Sequence, residues 1–239
     1  MKRTKKLIIA ILTVILIGLI LFTIGALYFS HDTELAEGDR TILVCAIDES
    51  ETREGMGACD MAFIIRLHDG SLVNYTAVYP GGLTHPTAAE PKEYQAQGAG
   101  SRLLLHDSFY SADNQQGMQY AKEIVEYQTN TSIDAVVAVN SKALDAVLHA
   151  AGPLEVNGTV TNASGIDIIR EEDWGNGVSR GDAVLDIVKA AAQKAKDPSV
   201  KSAMINAALD QYSKGNIIMD QQGAFVNLLA SKGIENFFG

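Results

Sequence analysis

The feature that most constrains this chain is Leu7–Phe29, a run of 23 apolar or small residues with no charged side chain. As an α-helix the run is ~34 Å long, which is enough to cross a hydrocarbon core of ~30 Å. A charged group near the middle of a membrane costs several kcal/mol. The absence of charge over this length therefore predicts a transmembrane helix at residues 7–29.

The charges on either side of the run predict its orientation. Residues 1–6 contain four basic side chains, and residues 30–40 contain four acidic ones. Positive charge is retained in the cytoplasm, so we expect a cytoplasmic tail at 1–6, a linker at 30–40 and a domain outside the cell at 41–239. A cleaved signal peptide is the alternative, but cleavage requires small residues, and this run ends on Leu27, Tyr28 and Phe29. We therefore favour an uncleaved signal-anchor in the cell membrane, with a single pass.

The composition after Phe29 restricts the partners of the domain. Fifteen Lys and Arg are set against 29 Asp and Glu there, a balance that argues against nucleic acid and against an anionic membrane surface. The two cysteines, Cys45 and Cys59, are too few for a disulfide framework. They either pair with each other or remain as buried free thiols.

Hydrophobic patterning predicts an α/β fold for residues 41–239. Asp69-Gly70 lies between two apolar runs, as expected for the turn of a β-hairpin. Segments 41–47, 61–67, 72–78, 135–139 and 216–219 have the pattern of strands. Helices are expected from about Asp113, before a stop at Gly152-Pro153, behind a capping box at Ser179 and Asp182, and from Pro198. Residues 83–101 are expected to form a long loop. Strands that alternate with helices indicate a three-layer mixed β-sheet with helices on both faces.

The order of several segments resembles a known family. Asp-Met-Ala-Phe at 60–63 and Val-Tyr-Pro at 78–80 are followed by the apolar strand at 133–139 and by Ala-Gly-Pro-Leu-Glu-Val at 151–156. This order resembles the LytR-CpsA-Psr family of cell-envelope proteins, and most of all an archaeal branch of unknown function that is known from methanogens. The resemblance covers residues 41–192. It implies one N-terminal membrane helix and an extracytoplasmic α/β domain.

The resemblance also implies a chemistry. The family's best-known activity moves a glycan from a polyprenyl-pyrophosphate carrier to a wall polymer, with arginines on the pyrophosphate and aspartates on Mg²⁺. By position, Asp60 matches the metal-binding aspartate, while Arg102, Arg170 and Arg180 match the pyrophosphate-binding arginines. After the strand-end Pro80 the family continues with Arg-Asp, whereas this chain has Gly81-Gly82. The resemblance therefore leaves open whether the chain is an enzyme.

Other readings of these residues remain open. Each of the three arginines can instead form a surface ion pair. The Gly pair can turn the chain or let backbone amides approach an anion. His106-Asp107, together with His85 and Asp60, can form a metal or acid–base site, or remain a solvent-facing polar pair. The sequence contains no P-loop, dinucleotide fingerprint, Ser-nucleophile elbow or zinc-finger spacing.

These observations lead to three functional hypotheses. The first is an envelope protein that binds a polyprenyl-linked or other anionic amphiphile, such as a polyprenyl-phosphate lipid or an envelope glycopolymer. The second is a Mg²⁺-dependent glycan transferase that uses Asp60 and the three arginines. The third is a structural or assembly protein without a small ligand.

Overall fold

The computed structural model describes residues 34–156, 158–161, 164, 180–225 and 228. Within that part of the chain, every helix is too short or too polar to cross a membrane. The predicted transmembrane helix at 7–29 lies outside the described residues and stays a prediction.

A five-stranded mixed sheet forms the centre of the fold. Its strands are β1 (Asp39–Asp48), β2 (Ala58–His68), β3 (Ser71–Val78), β6 (Ala135–Asn140) and β9 (Ile217–Met219), and their spatial order is β3-β2-β1-β6-β9. β1 pairs with β2 antiparallel and with β6 parallel, while β3 and β9 are antiparallel to their neighbours. The predicted mixed α/β fold is confirmed.

The hairpin between β2 and β3 forms where Asp69-Gly70 predicts it. Both residues have positive φ, 48° and 74°, which is the backbone geometry of a tight hairpin turn. The Asp69 carboxylate also accepts a hydrogen bond of 2.8 Å from the Gly38 N–H, so the turn is tied to the residues just before β1.

Helices cover both faces of the sheet. Alternate residues of β1 point to opposite faces, so each strand contributes side chains to both helical layers. Leu43, Cys45 and Ile47 pack against α2 (Asn114–Thr129). Val44 and Ala46 face α3 (Ser141–Ala151) and α4 (Arg180–Lys194) on the other side. α5 (Pro198–Ser213) packs on α3, and β7 (Leu154–Val156) with β8 (Thr159–Thr161) forms a separate hairpin. Cys45 and Cys59 are buried free thiols, one of the two alternatives that the sequence left open.

Three helices begin at residues whose side chains cap them. The side chains of Asp113, Asn140 and Asp197 accept backbone N–H bonds at the first turns of α2, α3 and α5. Pro198 occupies the first turn of α5, where its missing N–H has no cost.

The prediction of a continuous loop at 83–101 is wrong. This segment contains β4 (Thr84–Ala89) and the short helix α1 (Lys92–Ala96), and β4 pairs with β5 (Arg102–Leu104) in a separate two-stranded sheet. His85 holds β4 in place: its Nδ1 accepts from the N–H groups of Thr87 and Ala88, and its Nε2 lies 2.6 Å from Glu123 Oε2 on α2. Because this bonding comes from a distant helix, local periodicity does not reveal the strand.

Two polar loops meet at one end of the sheet. The loop after β1 approaches the loop after β5, where the Gly55 N–H donates a hydrogen bond of 3.1 Å to Tyr110 O. At the start of β2, the Cys59 N–H donates a hydrogen bond of 2.8 Å to His106 O in the same loop. A Cβ on Gly55 would lie only 2.2 Å from Phe109 O and 2.3 Å from Ser111 O, both of them backbone atoms. The close approach of the two loops therefore requires glycine at position 55.

We predict that Gly55→Ala lowers the free energy of unfolding by about 2–3 kcal/mol, because rigid backbone atoms cannot yield to the new methyl group. Urea unfolding of the full chain measures the change. Gly81→Ala is the matched control, since a Cβ there has no atom within 4 Å. Equal stability of the two variants would show that the contact between the loops is not tight.

Candidate functional site

Asp60 lies in a β-bulge at the start of β2. Ala46 is opposite Met61 and Ile47 is opposite Cys59, so that Asp60 is the extra residue of the pair of strands. A bulge redirects side chains and is common next to functional sites. It brings the Asp60 carboxylate, 17% exposed, to the end of the sheet where β1 also ends.

His106 faces Asp60 from the loop after β5. Its Nε2 lies 3.3 Å from Asp60 Oδ1 and 3.6 Å from Glu51 Oε1, while its Nδ1 lies 3.2 Å from Asp107 Oδ1. The imidazole therefore lies among three carboxylates that come from three different segments. Asp107 and Asp60 raise the pKa of His106 to about 10, so the ring is protonated at neutral pH when no cation competes for it.

Arg53 is a second cation of this group. Its Nη2 lies 2.5 Å from Asp107 Oδ1 and 3.3 Å from Glu51 Oε2, and the guanidinium stacks 4.4 Å above the ring of Tyr94. The side chain is only 10% exposed. We call Glu51, Arg53, Asp60, His106 and Asp107 the edge cluster.

Glu90 lies behind the edge cluster, at the end of β4, and is 2% exposed. Its Oε2 accepts a hydrogen bond of 2.7 Å from the Leu104 N–H. Burial, with Asp107 nearby, raises the pKa of Glu90 to about 7. Among the described residues, Glu90 Oε1 and Arg53 Nε are buried without a hydrogen-bond partner, a situation that ordered water usually resolves.

The donor atoms of the edge cluster suit a cation better than a bare phosphate. Three carboxylates surround one guanidinium and one imidazole, so the acidic groups exceed the basic ones. Ligand atoms of Glu51, Asp60 and His106 all lie within 4.8 Å of one another, close enough to bind one metal ion. An anionic group would bind here by coordinating such a metal ion, because a divalent cation can take anionic oxygens as ligands in addition to the protein side chains.

The structure brings together some of the residues that the sequence singled out. Asp60 and His106 are neighbours, as one reading of the sequence required, but His85 binds Glu123 on α2 instead. Arg102 is exposed on β5 and donates to Thr87 O. Arg170 lies outside the described residues, and so does the side chain of Arg180 at the start of α4, so the pyrophosphate-binding role of the arginines stays a prediction.

The Gly81-Gly82 pair forms a turn. The Leu83 N–H donates 3.1 Å to Pro80 O, and Gly82 has a φ of 80°, which glycine adopts without strain. The turn interpretation of this pair is therefore confirmed.

Sequence reasoning missed Glu51, Arg53 and Glu90. Glu51 and Arg53 belong to a polar loop that directly follows a buried strand, and loops at the ends of buried strands often carry binding residues. That signal was available but gave no reason to choose one residue in the loop. Glu90 lies in the segment that was expected to be a loop, so its burial could not be foreseen.

An apolar cavity of about 210 Å³ lies on the face of the sheet that points away from α2. It is bounded by the strands β1, β2 and β6 and by the helices α3 and α4. Residues that line it include Ala46, Met61, Phe63, Val139, Leu144, Leu148 and Ile187. Met61 directly follows Asp60 along β2, so the cavity wall begins one residue from the edge cluster.

Solved structures share this fold. The protein gbs0355 from Streptococcus agalactiae is 16% identical with a TM-score of 0.55, covering 84% of this chain and 76% of that one. TagV from B. subtilis is 13% identical with a TM-score of 0.50, covering 84% and 83%. A structure of TagT bound to LI-WTA is 12% identical with a TM-score of 0.52, covering 86% and 78%. No curated protein sequence matches the chain.

The predicted resemblance to LytR-CpsA-Psr proteins is confirmed as a likeness of fold to TagV and TagT. Within that class of fold, the family model of the proteins of unknown function DUF4012 matches residues 37–174, more than half of the chain. The chain belongs to the DUF4012 family. The archaeal origin stays a prediction.

We predict that Glu90→Gln stabilises the protein at pH 8 and has little effect at pH 5. The pKa of Glu90 is raised from about 4.5 to about 7, so the folded state holds a proton that the unfolded chain releases, and wild-type stability falls as the pH rises through this range. Glutamine stays neutral and can still accept from the Leu104 N–H. A gain of roughly 1 kcal/mol, or about 2–4 °C in Tm, is expected at pH 8.

Thermal unfolding at pH 5 and pH 8 measures this difference. Glu93→Gln, an exposed substitution on α1, is the control and should leave both values unchanged. A loss of stability in Glu90→Gln at pH 8 would show that an ionised Glu90 supports the fold.

Proposed function

We propose that this chain is a membrane-anchored, extracytoplasmic envelope protein that binds a polyprenyl-linked or other anionic amphiphile. The helix predicted at 7–29 would keep the domain at the surface of the membrane in which such lipids reside. The net acidity after Phe29 argues against direct adsorption of the domain to anionic headgroups. Attachment through the predicted helix therefore accounts for membrane contact.

One observation carries the proposal: the edge cluster and the apolar cavity lie at consecutive residues of β2. Asp60 belongs to the cluster and Met61 to the cavity wall. An amphiphile has the same division, with a charged head next to an apolar chain. The cavity would bury hydrocarbon, which contributes roughly 25 cal/mol for each Å² removed from water.

The head group would be held by the edge cluster together with a divalent cation. The cation would be ligated by Glu51, Asp60 and His106 and would share its remaining charge with phosphate oxygens. Arg53 would contribute a second, nearby positive charge. Arg102, Arg170 and Arg180 stay proposed as further contacts to a pyrophosphate.

The fold shared with TagT supports this assignment, because the TagT structure is bound to LI-WTA. In this chain an envelope glycopolymer, or its lipid-linked precursor, would occupy the corresponding region. The proposal assigns binding without requiring turnover.

A divalent-cation-dependent glycan transferase is the second candidate, favoured by the contact between His106 and Asp60. It predicts that the full chain transfers a labelled glycan from polyprenyl pyrophosphate to a wall polymer only when a divalent cation is present. Asp60→Asn would abolish this transfer. A chain that binds the lipid but transfers nothing is a binding protein.

We predict that Ala46→Phe weakens the binding of a fluorescent polyprenyl pyrophosphate at least tenfold. Ala46 lines the cavity, and a phenyl ring there would occupy the space needed by the lipid chain. Val73→Phe is the matched control, because Val73 is a strand residue that is 66% exposed. Fluorescence titration of the full chain in detergent gives both affinities, and Tm shows whether each variant is folded.

Leu148→Trp, on the helix that covers the cavity, provides a second obstruction if Ala46→Phe does not fold. Inorganic pyrophosphate should bind the cavity variants as it binds the wild type. Undiminished lipid binding by a folded cavity variant would contradict the proposal.

A further inference from the structure

The geometry points to a site for Zn²⁺ at Glu51, Asp60 and His106, which binds Mn²⁺ more weakly and Mg²⁺ most weakly, in place of the Mg²⁺ that the family resemblance implies. This inference rests on the proposed function, since it names the cation of the same site. It starts from the donor atoms of three side chains, one of which, Glu51, the sequence did not single out.

The donor set contains an imidazole nitrogen and two carboxylates. His106 Nε2 lies 3.3 Å from Asp60 Oδ1 and 3.6 Å from Glu51 Oε1, so an ion placed among these atoms needs only small side-chain shifts. Imidazole is a common ligand of Zn²⁺ and other first-row transition metals. Mg²⁺ prefers an octahedral shell of oxygen atoms and retains several waters.

The three candidate ligands make hydrogen bonds to neighbouring groups of the kind that known metal sites show. A metal-binding histidine usually donates its other N–H to a carboxylate, which fixes the ring. Here Nδ1 of His106 faces Asp107 Oδ1 at 3.2 Å, and Asp107 is in turn held by Arg53 at 2.5 Å. Arg53 also binds Oε2 of Glu51, which leaves Oε1 facing the imidazole.

The three ligand-bearing segments are fixed to one another. Asp60 is set by the bulge in β2, and the His106 carbonyl accepts a 2.8 Å hydrogen bond from the Cys59 N–H. The loop of Glu51 is joined to the loop of His106 through Gly55 and Tyr110. Such a frame limits the rearrangement that binding requires.

Binding exchanges the Nε2 proton of His106 for the ion, and the proton is released to solvent. In the metal-bound site, His106 would bind the ion through Nε2 and would donate its Nδ1–H to the Asp107 carboxylate. Glu90 Oε1 and Arg53 Nε are buried atoms without a partner among the described residues, and Arg53 is the residue that holds Asp107.

Isothermal titration tests the inference with the metal-stripped full chain in detergent at pH 7.5, against ZnCl₂, MnCl₂ and MgCl₂ in turn. We expect one Zn²⁺ per chain, bound at least 100-fold more tightly than Mg²⁺, with Mn²⁺ between them. His106→Gln should weaken Zn²⁺ binding at least 30-fold and change Mg²⁺ binding less than threefold. Glu51→Gln, a substitution of a side chain that is 39% exposed, provides a second variant if His106→Gln does not fold.

His68→Gln is the matched control, because His68 also lies beside carboxylates, 2.7 Å from Asp39 and 3.5 Å from Asp69, on an exposed hairpin. It should leave Zn²⁺ binding at the wild-type level. The inference is overturned if Mg²⁺ binds as tightly as Zn²⁺, if His106→Gln and Glu51→Gln both keep wild-type Zn²⁺ affinity, or if His68→Gln removes the site.

The lipid titration separates this inference from the proposed function. Capture of the polyprenyl probe that depends on Ala46, together with failure of Zn²⁺ to bind, would reject only the metal assignment. Tight Zn²⁺ binding together with unchanged lipid affinity in Ala46→Phe would reject only the amphiphile proposal.

Discussion

The contact between Arg53 and Asp107 holds the functional end of this protein together. It joins the loop after β1 to the loop after β5 at 2.5 Å, with side chains that are 10% and 5% exposed. Removing one partner of a buried pair leaves an uncompensated charge, at a cost of about 3–5 kcal/mol. Arg53 also contacts Glu51, and Asp107 contacts His106, so the pair helps to hold both of these ligands near Asp60.

The two faces of the sheet differ in how they are filled, because one is a packed core and the other borders a cavity. Alternation along β1 sends Leu43, Cys45 and Ile47 into a packed core against α2. On the opposite face the side chains leave a cavity of about 210 Å³ beneath α3 and α4. Because the bulge at Asp60 interrupts the alternation at the end of the sheet, a carboxylate points toward the edge cluster while its neighbour Met61 lines the cavity.

Much of the fold was predictable because its signals are local. The Asp69-Gly70 turn, the helix starts near Asp113 and Pro198, and the apolar strands at 41–47 and 135–139 each depend on neighbouring residues alone. The strand β4 was missed because His85 and Glu123, separated by 38 residues, hold it in place. Asp60 and His106 could be named as candidates, but Arg53 and Glu51 join them only through contacts between distant loops, which no spacing in the sequence encodes.

In the proposed mode of binding, a lipid chain occupies the cavity while its charged head lies at the edge cluster. A polyprenyl pyrophosphate carrying a photoreactive group near the middle of its chain tests this directly when cross-linked to the full chain and mapped by mass spectrometry. Labels are expected on residues that line the cavity, such as Val139, Leu144 or Leu148. Labels confined to exposed apolar residues such as Val73 or Tyr127 would contradict it.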